Sequence, residues 1–386
     1  MPMYHRAGEV PRKRHIAFRQ ASGALYPEEL VGNKGFSGPS ALLYHLRRPT
    51  VVRSIALDRD LRPGALPELP LSPRHWRLHR LPAGGSPVLD RRPVVWNADV
   101  AMSFVQPTAE DPFFFRNAQA DEVVYVSTGE GTLETPLGAL AFRGGDYLVI
   151  PRYTIQRWRL GAGPHRWLVV ESQGYVRTPR RYRNEHGQLL EGAPFSERDV
   201  RVPSFQPPVD EEGAFTLLVK HRDRLTRVEL GHHPFDVVGW DGFYYPWALS
   251  IHDFEPIVGK IHQPPPVHQT FEGDGFVLCS FCPRPYDFHP EAVPAPYNHA
   301  NVMTDEVIYY ASSEFMSRKG IEFGSVTLHP DGLAHGPHPG RAEDSLGKPW
   351  TDELAVMLDT FRPLEVAPAV AGVEDADYVR SWLGSP

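Results

Sequence analysis

The sequence predicts an all-β protein built from two similar barrels in tandem, and three observations carry that prediction. Pro stands at 40 of 386 positions and Gly at 33, a composition that favours short elements joined by turns over long helices. From about residue 95 onward the chain reads as β-branched and aromatic runs parted by Gly, Pro and Asn. Turn signals recur every ~8–12 residues, the spacing of a sandwich or barrel. One unit also occurs twice: ADEVVYVSTGEG (120–131) and TDEVIYYASSEF (304–315) match as acid, acid, Val, apolar, Tyr. Each copy is followed by a Gly-led strand, GGDYLVIPRYT (144–154) and FGSVTLHPDGL (323–333), so the duplication covers more than one element.

The elements follow in order. Residues 1–95 are rich in Pro and Arg and form an arm or extra sheet against the β core, with an early strand at ALLYHLRRPTVVRSIAL. Residues 96–235 make the first barrel from VVWNADVAMSFV, EVVYVSTGEGTLETPLGALAFRGGDYLVIP, HRWLVVES and FTLLVKH; residues 236–386 make the second from GFVLCSF, EVIYYASSEF and FGSVTLHP. A chain of this length exceeds what one hydrophobic core usually serves, which agrees with two units. Helical spacing is convincing only in TDELAVMLDTF (351–361). There Leu354, Leu358 and Phe361 share a face and Thr351 stands at the N-cap, so a short C-terminal helix is expected.

Apolar content of 41% and charged content of 23% are those of a soluble globular protein. The net charge of −7 argues against nucleic acid as a partner, because phosphate binding rests on clustered Lys and Arg. No apolar run reaches the ~18 residues of a membrane span and the N-terminus has no apolar leader core, so no membrane role and a cytoplasmic location are expected. The cysteines are Cys279 and Cys282, in CSFC. Without a second pair to complete a four-thiolate site, they read as buried thiols on a strand in a reducing compartment.

Two polar clusters stand out against this background. PYNHANVMTDEVIYY contains His299, Asn301, Asp305 and Glu306 at the mouth of a strand, and GSVTLHPDGLAHGPHPG contains His329, His335 and His338. Their spacing resembles the two motifs of the cupin superfamily, whose small jelly-roll barrels carry a metal. His299-x-Asn301-x4-Glu306 follows the first motif with Asn at its second His, and Gly324-x5-Pro330-x-Gly332-x2-His335 follows the second. The same register in the first copy places Phe115 and Gln156 where the histidines would be, so the first barrel is expected to keep the scaffold and lack the metal. A lone His is usually a core or surface residue, but ligand types at set positions of a repeated frame, both imidazoles missing together from the sister copy, favour metal binding. Two imidazoles and a carboxylate form a facial triad that suits Fe(II), although zinc enzymes use the same donors. Strand alternation lets only one of Asp305 and Glu306 point inward. Glu306 matches Glu122 in the repeat and keeps the motif spacing, so it is taken as the ligand, with Asp305 as the alternative carboxylate and otherwise facing solvent.

More narrowly, DVVGWDGFYYPWALSI, GKIHQPPPVHQTFE, FVLCSFCPRPYDFHPEAVPAPYNHANVMTDEV and TLHPDGLAHGPHPG resemble the homogentisate 1,2-dioxygenase family, as do the opening MPMYHRAGEVPRKRHIAF and GGDYLVIPR. That resemblance implies an N-terminal β domain with a C-terminal cupin-like barrel, a homo-oligomer of three or six chains, and Fe(II) held by His299, Glu306 and His335. It implies opening of a small hydroquinone-type aromatic by O2 to a maleyl product, as in tyrosine and phenylalanine degradation. His329 would be the base that takes the phenolic proton, with His262 a second catalytic histidine. Tyr297 would line the pocket and His338 would lie beside the ligands or in their loop. Phe315 stands where well-known members have a substrate-contacting Tyr, which leaves gentisate, other hydroquinones and arylacetates open alongside homogentisate. Arg152, Arg157 and Arg159 are candidates for a substrate-carboxylate clamp, with solvated surface charge as the other reading. A zinc or manganese isomerase or hydrolase, and a non-enzymatic two-barrel binding protein, are the competing classes.

Overall fold

The computed structural model describes residues 3–67 and 70–383, and within them the chain is almost wholly β. The single α-helix among the described residues is the five-residue Arg341–Ser345. In the first half, strand Asp121–Thr128 runs between Asp146–Ile150 and Arg166–Ser172 in a seven-stranded sheet. A second seven-stranded sheet contains Gly131–Thr135, Ile155–Leu160, Phe114–Asn117 and the hairpin Glu212–His221/Arg224–His232. Val124, Val126, Leu148, Trp158, Trp167 and Leu218 fill the space between them. In the second half, strand Asp305–Tyr310 is flanked by Ser325–His329 and Ala355–Thr360 in a six-stranded sheet.

The two halves pack back to back. Side chains on a strand alternate faces, so Val123 and Tyr125 of one repeat and Val307 and Tyr309 of the other turn to a shared core. Tyr309 meets Phe104 and Tyr125 at ring distances of 6.3 and 6.1 Å and donates to Ser127 Oγ at 2.8 Å. The opposite set, Val124 in one copy and Ile308 with Tyr310 in the other, faces away into the separate interior of each half. The glutamates Glu122 and Glu306 belong to this second set by the same alternation. In register, Glu122 opposes Ile150 and Glu306 opposes His329.

The early chain supplies strands to several sheets. Val52–Asp60 edges the second seven-stranded sheet, Arg74–Arg77 edges the six-stranded sheet beside Ser325–His329, and Arg92–Trp96 joins the first. His5–Gly8 and Ser40–His45 flank Val237–Gly242 in a four-stranded sheet, and Glu28–Gly32 pairs with the outer side of Ser40–His45. His45 holds this sheet to its surroundings: Nδ1 lies 2.8 Å from Asp236 Oδ1 and Nε2 lies 3.2 Å from Glu29 Oε2. Burial alone would lower its pKa, but the hydrogen bonds that the imidazolium donates to Asp236 and Glu29 outweigh burial and push it up to about 9. A pKa raised on folding means stability present below about 6.5 and lost as pH climbs through about 9. We expect chemical unfolding to register a loss of about 3 kcal/mol from this residue between pH 6 and pH 10, at about 1.4 kcal/mol per pH unit of displacement. His45→Gln should flatten that slope; an unchanged slope would count against it.

Residues 351–361 are not the expected helix. Trp350–Thr351 pairs with Arg284–Pro285, Thr351 Oγ1 accepts from Glu353 N at 3.2 Å, and Ala355–Thr360 is a strand. That strand has neighbours on both edges, Phe276–Phe281 and Asp305–Tyr310. Val356 and Leu358 face the shared core while Ala355 and Met357 face the second interior. Burial on both faces erases the polar alternation that marks a strand, and the remaining apolar spacing mimics a helical face. Cys279 and Cys282 are buried free thiols, as expected. Among the described residues no helix is long and apolar enough to cross a membrane.

Candidate metal centre

The second interior ends in a cluster assembled from two loops and one strand. Glu306 is the second residue of its strand and faces the interior. His299 precedes that strand, and His335 follows strand Ser325–His329 by way of the turn at Gly332. Gly332 has φ +91°, a left-handed conformation that glycine adopts without steric cost. The two histidine loops clasp each other through paired backbone bonds, His299 N–H to His335 O and His335 N–H to His299 O, both 2.8 Å.

One donor atom from each of His299, Glu306 and His335 lies within 4.8 Å of the others. Nδ1–H of His299 donates to Tyr297 O at 3.1 Å, which leaves Nε2, 3.7 Å from Glu306 Oε2, with its lone pair free. His335 is 5% exposed, its Nε2 is 3.4 Å from Glu306 Oε1, and neither ring nitrogen has a hydrogen-bond partner among the described residues. A buried imidazole left unsatisfied is costly unless something else binds it. Burial would raise the Glu306 pKa, but the imidazoles of His299, His329 and His335 around it outweigh burial and hold the carboxyl well below its usual range. Two free imidazole nitrogens and an ionised carboxylate on one side fit a divalent transition metal.

His329 is placed differently from the expectation of a proton-accepting base. It is fully buried, and that burial lowers its pKa to about 3, so it is neutral with one N–H. Nδ1–H donates to Glu306 Oε1 at 2.7 Å, and Nε2 accepts from the Tyr378 hydroxyl at 3.0 Å. Its acceptor nitrogen is occupied and it is not among the residues lining the cavity, so it orients Glu306. His338 likewise lies outside that lining, with Nδ1 accepting from Lys319 N at 2.9 Å and Nε2 beside Ser381 Oγ at 3.0 Å.

The cavity itself has a volume of about 160 Å³ and brings His262, Tyr297 and Phe315 to the same space as His299 and Glu306. Phe315 is buried against Phe281, and Tyr297 stands at the exposed side with its ring edge-on to His262 at 5.3 Å. His262 Nδ1 is 3.6 Å from Asp287 Oδ2. Arg152, Arg157 and Arg159 do not line this cavity; within the chain they pair with Asp121, Glu134 and Glu110.

Asp305 is not solvated. It is 5% exposed, Oδ1 accepts from Asp331 N and Oδ2 from Leu364 N, both 2.8 Å. Asp121 does the same in the first repeat, with Arg152 N and Val176 N at 3.0 Å, so the aspartate of each copy anchors two loops. The first repeat has also filled its glutamate pocket. Arg91 pairs with Glu122, Gln156 Nε2 donates to Glu122 at 2.8 Å, and Phe115 lies under the Arg91 guanidinium at 5.7 Å. Lys220 pairs with neighbouring Glu171. A guanidinium thus sits where the second repeat has histidine donors. Tyr153, at the position of Gly332, takes φ +74° and retains the turn without glycine.

Sequence reasoning missed Arg318, Tyr378 and Asp359. Asp359 opposes Glu306 across the sheet as Glu171 opposes Glu122. Extending the repeat by one more strand would have found it, had 355–360 not been read as helical.

Comparison with known proteins agrees with this architecture. The family model described as Homogentisate 1,2-dioxygenase N-terminal matches residues 98–251. The chain is 40% identical over 390 residues, covering 100% of both proteins, to a Saccharolobus solfataricus protein named "Putative dioxygenase". It is 27% identical to the homogentisate 1,2-dioxygenase of Rhodopseudomonas palustris (strain BisB5), over 98% of this chain and 90% of that one. A solved cupin 2 conserved barrel domain protein from Leptotrichia buccalis covers 76% of this chain and 95% of its own at 11% identity and a TM-score of 0.35, too loose a likeness to argue from.

Proposed function

The chain belongs to the homogentisate 1,2-dioxygenase family, and from that premise we propose that it is an Fe(II)-dependent enzyme that opens homogentisate, or a close hydroquinone, with O2 to a maleyl product. The observation that carries this reading is the convergence of His299, Glu306 and His335 beside a small aromatic-walled cavity that His299 and Glu306 line. Ferrous iron at such a triad supplies neighbouring coordination positions for an aromatic diol and O2, together with the electron transfer that joins them.

The chain's own residues do the remaining work. His329 keeps Glu306 aimed at its neighbours, and Tyr378 fixes the His329 ring by donating to Nε2. Asn301 Nδ2 reaches Glu306 Oε2 at 3.4 Å from the other side. Phe281 and Phe315 form an apolar wall that admits one ring and excludes water from it. His262, at the cavity rather than behind it and close to Asp287, is the better-placed group to take the phenolic proton.

Reconstitution of metal-free protein under nitrogen with Fe(II), Mn(II) or Zn(II), followed by oxygen-electrode assays on homogentisate, gentisate and methylhydroquinone, tests this reading. Oxygen uptake with a maleyl chromophore is expected with Fe(II) alone. Turnover with zinc and none with iron would reject it.

A further inference from the structure

A separate cavity lies on the outside of the first half, between the four-stranded sheet and the sheet that carries Phe114–Asn117. Its volume is about 270 Å³, larger than that of the cavity beside His299. Strand alternation makes its walls. Leu218 turns into the core of the first half, Leu217 and Val219 turn outward, and Val31 and Leu43 line the opposite side from the four-stranded sheet. Val52 and Ile55, 42% and 68% exposed, stand where the cavity meets solvent.

One end of this cavity is polar. Phe115 faces the core, so Arg116 faces the cavity, half-buried, with its guanidinium 3.8 Å from the Tyr153 ring. Arg116 Nε is shielded from water and has no hydrogen-bond partner among the described residues, a deficit that folded chains seldom leave. The Tyr153 hydroxyl donates to Glu29 Oε1 at 2.6 Å, and His45 bridges Glu29 and Asp236. Tyr153 takes φ +74° to stand there, a conformation costly for any residue with a Cβ, and strain of this kind gathers at ligand sites. Two carboxylates already line the cavity and the field of Arg116 reaches Glu29. What Arg116 lacks is therefore an acceptor atom, not a further anion.

We propose that this cavity is a second ligand site, independent of the metal centre, for a neutral and mainly hydrocarbon molecule whose acceptor oxygen takes a hydrogen bond from Arg116. Apolar walls with a few placed polar groups are the usual make-up of such sites. An apolar cavity of about 150 Å³ is enough to hold benzene, so this one has room for a ring with a short side group. The first half, whose inner glutamate pocket is filled by Arg91, thus keeps a binding function on its outer face.

Ligand-observed fluorine NMR on the full chain tests this with three matched probes: para-fluoroacetophenone, para-fluorotoluene and para-fluorobenzoate. The ketone should bind the parent protein, and Arg116→Met should weaken it about 10-fold, the value of one hydrogen bond from a charged donor, while fluorotoluene binds as before. Arg116→Lys should restore part of the loss. Val219→Phe narrows the cavity from within, and Ile55→Trp blocks its mouth from an exposed position that leaves the core alone. Each should abolish binding of ketone and fluorotoluene, with an unchanged urea midpoint for Ile55→Trp showing that the fold is intact. A ketone signal that survives both changes arises elsewhere and overturns the site, as does a parent that binds none of the probes. Equal loss of ketone and fluorotoluene in Arg116→Met overturns the role of Arg116. Tighter binding of fluorobenzoate than of the ketone overturns the neutral class.

Discussion

Glu306→Ala should empty the metal centre of a folded protein, and Asp305→Ala should do nearly the reverse. Glu306 is the carboxylate between two imidazoles that have no other use for their free nitrogens. Loss of even a residue that merely orients a ligand costs about 10–100-fold in metal affinity, so loss of the ligand itself should exceed about 100-fold. Asp305, one residue away, points to the other face and accepts from Asp331 N and Leu364 N. Its removal strands two buried amides at about 1–3 kcal/mol each, and should lower the unfolding midpoint while metal is still bound. Metal per chain after desalting, measured beside a urea melt, separates the two variants. Equal metal loss in both would refute the choice of Glu306.

Arg91→Ala should be among the most destabilising single changes in the first half of the molecule. Glu122 is wholly buried and Arg91 is its cation. Breaking a buried pair from one side costs about 3–5 kcal/mol, since the remaining charge has neither water nor partner. The companion change Glu122→Gln, which removes the charge that needs Arg91, should return most of that loss in the double variant. Urea unfolding of the parent, both single variants and the double variant completes the cycle. Additive losses would show that Arg91 and Glu122 do not depend on each other.

Much of this architecture was legible in the residues, because it rests on local rules. Strand alternation, turn residues and a repeated acid–acid–Val–apolar–Tyr phrase locate the duplicated strands, and that frame singles out His299, Glu306 and His335. What escaped is what depends on partners distant in sequence. Ala355–Thr360 looked helical because both its faces and both its edges are covered. Asp305 looked solvated because nothing nearby in the chain announces that Asp331 and Leu364 will present amides to it. His329 looked free to accept a proton because Tyr378, 49 residues further on, returns to occupy its second nitrogen. Arg318 carried no motif at all; its burial beside the cavity is visible only once the chain is folded.

The clasp between the backbones of His299 and His335 has one more consequence. In small zinc modules the ion arrives first and order follows, so chelation dissolves the fold. Here the loops that bear the imidazoles are already zipped to each other by their own amides, and the first half is tied by a guanidinium that no chelator can strip. The spacing of the two loops is therefore set by the backbone itself. An ion reaching His299, Glu306 and His335 would meet donors whose loops are already held side by side.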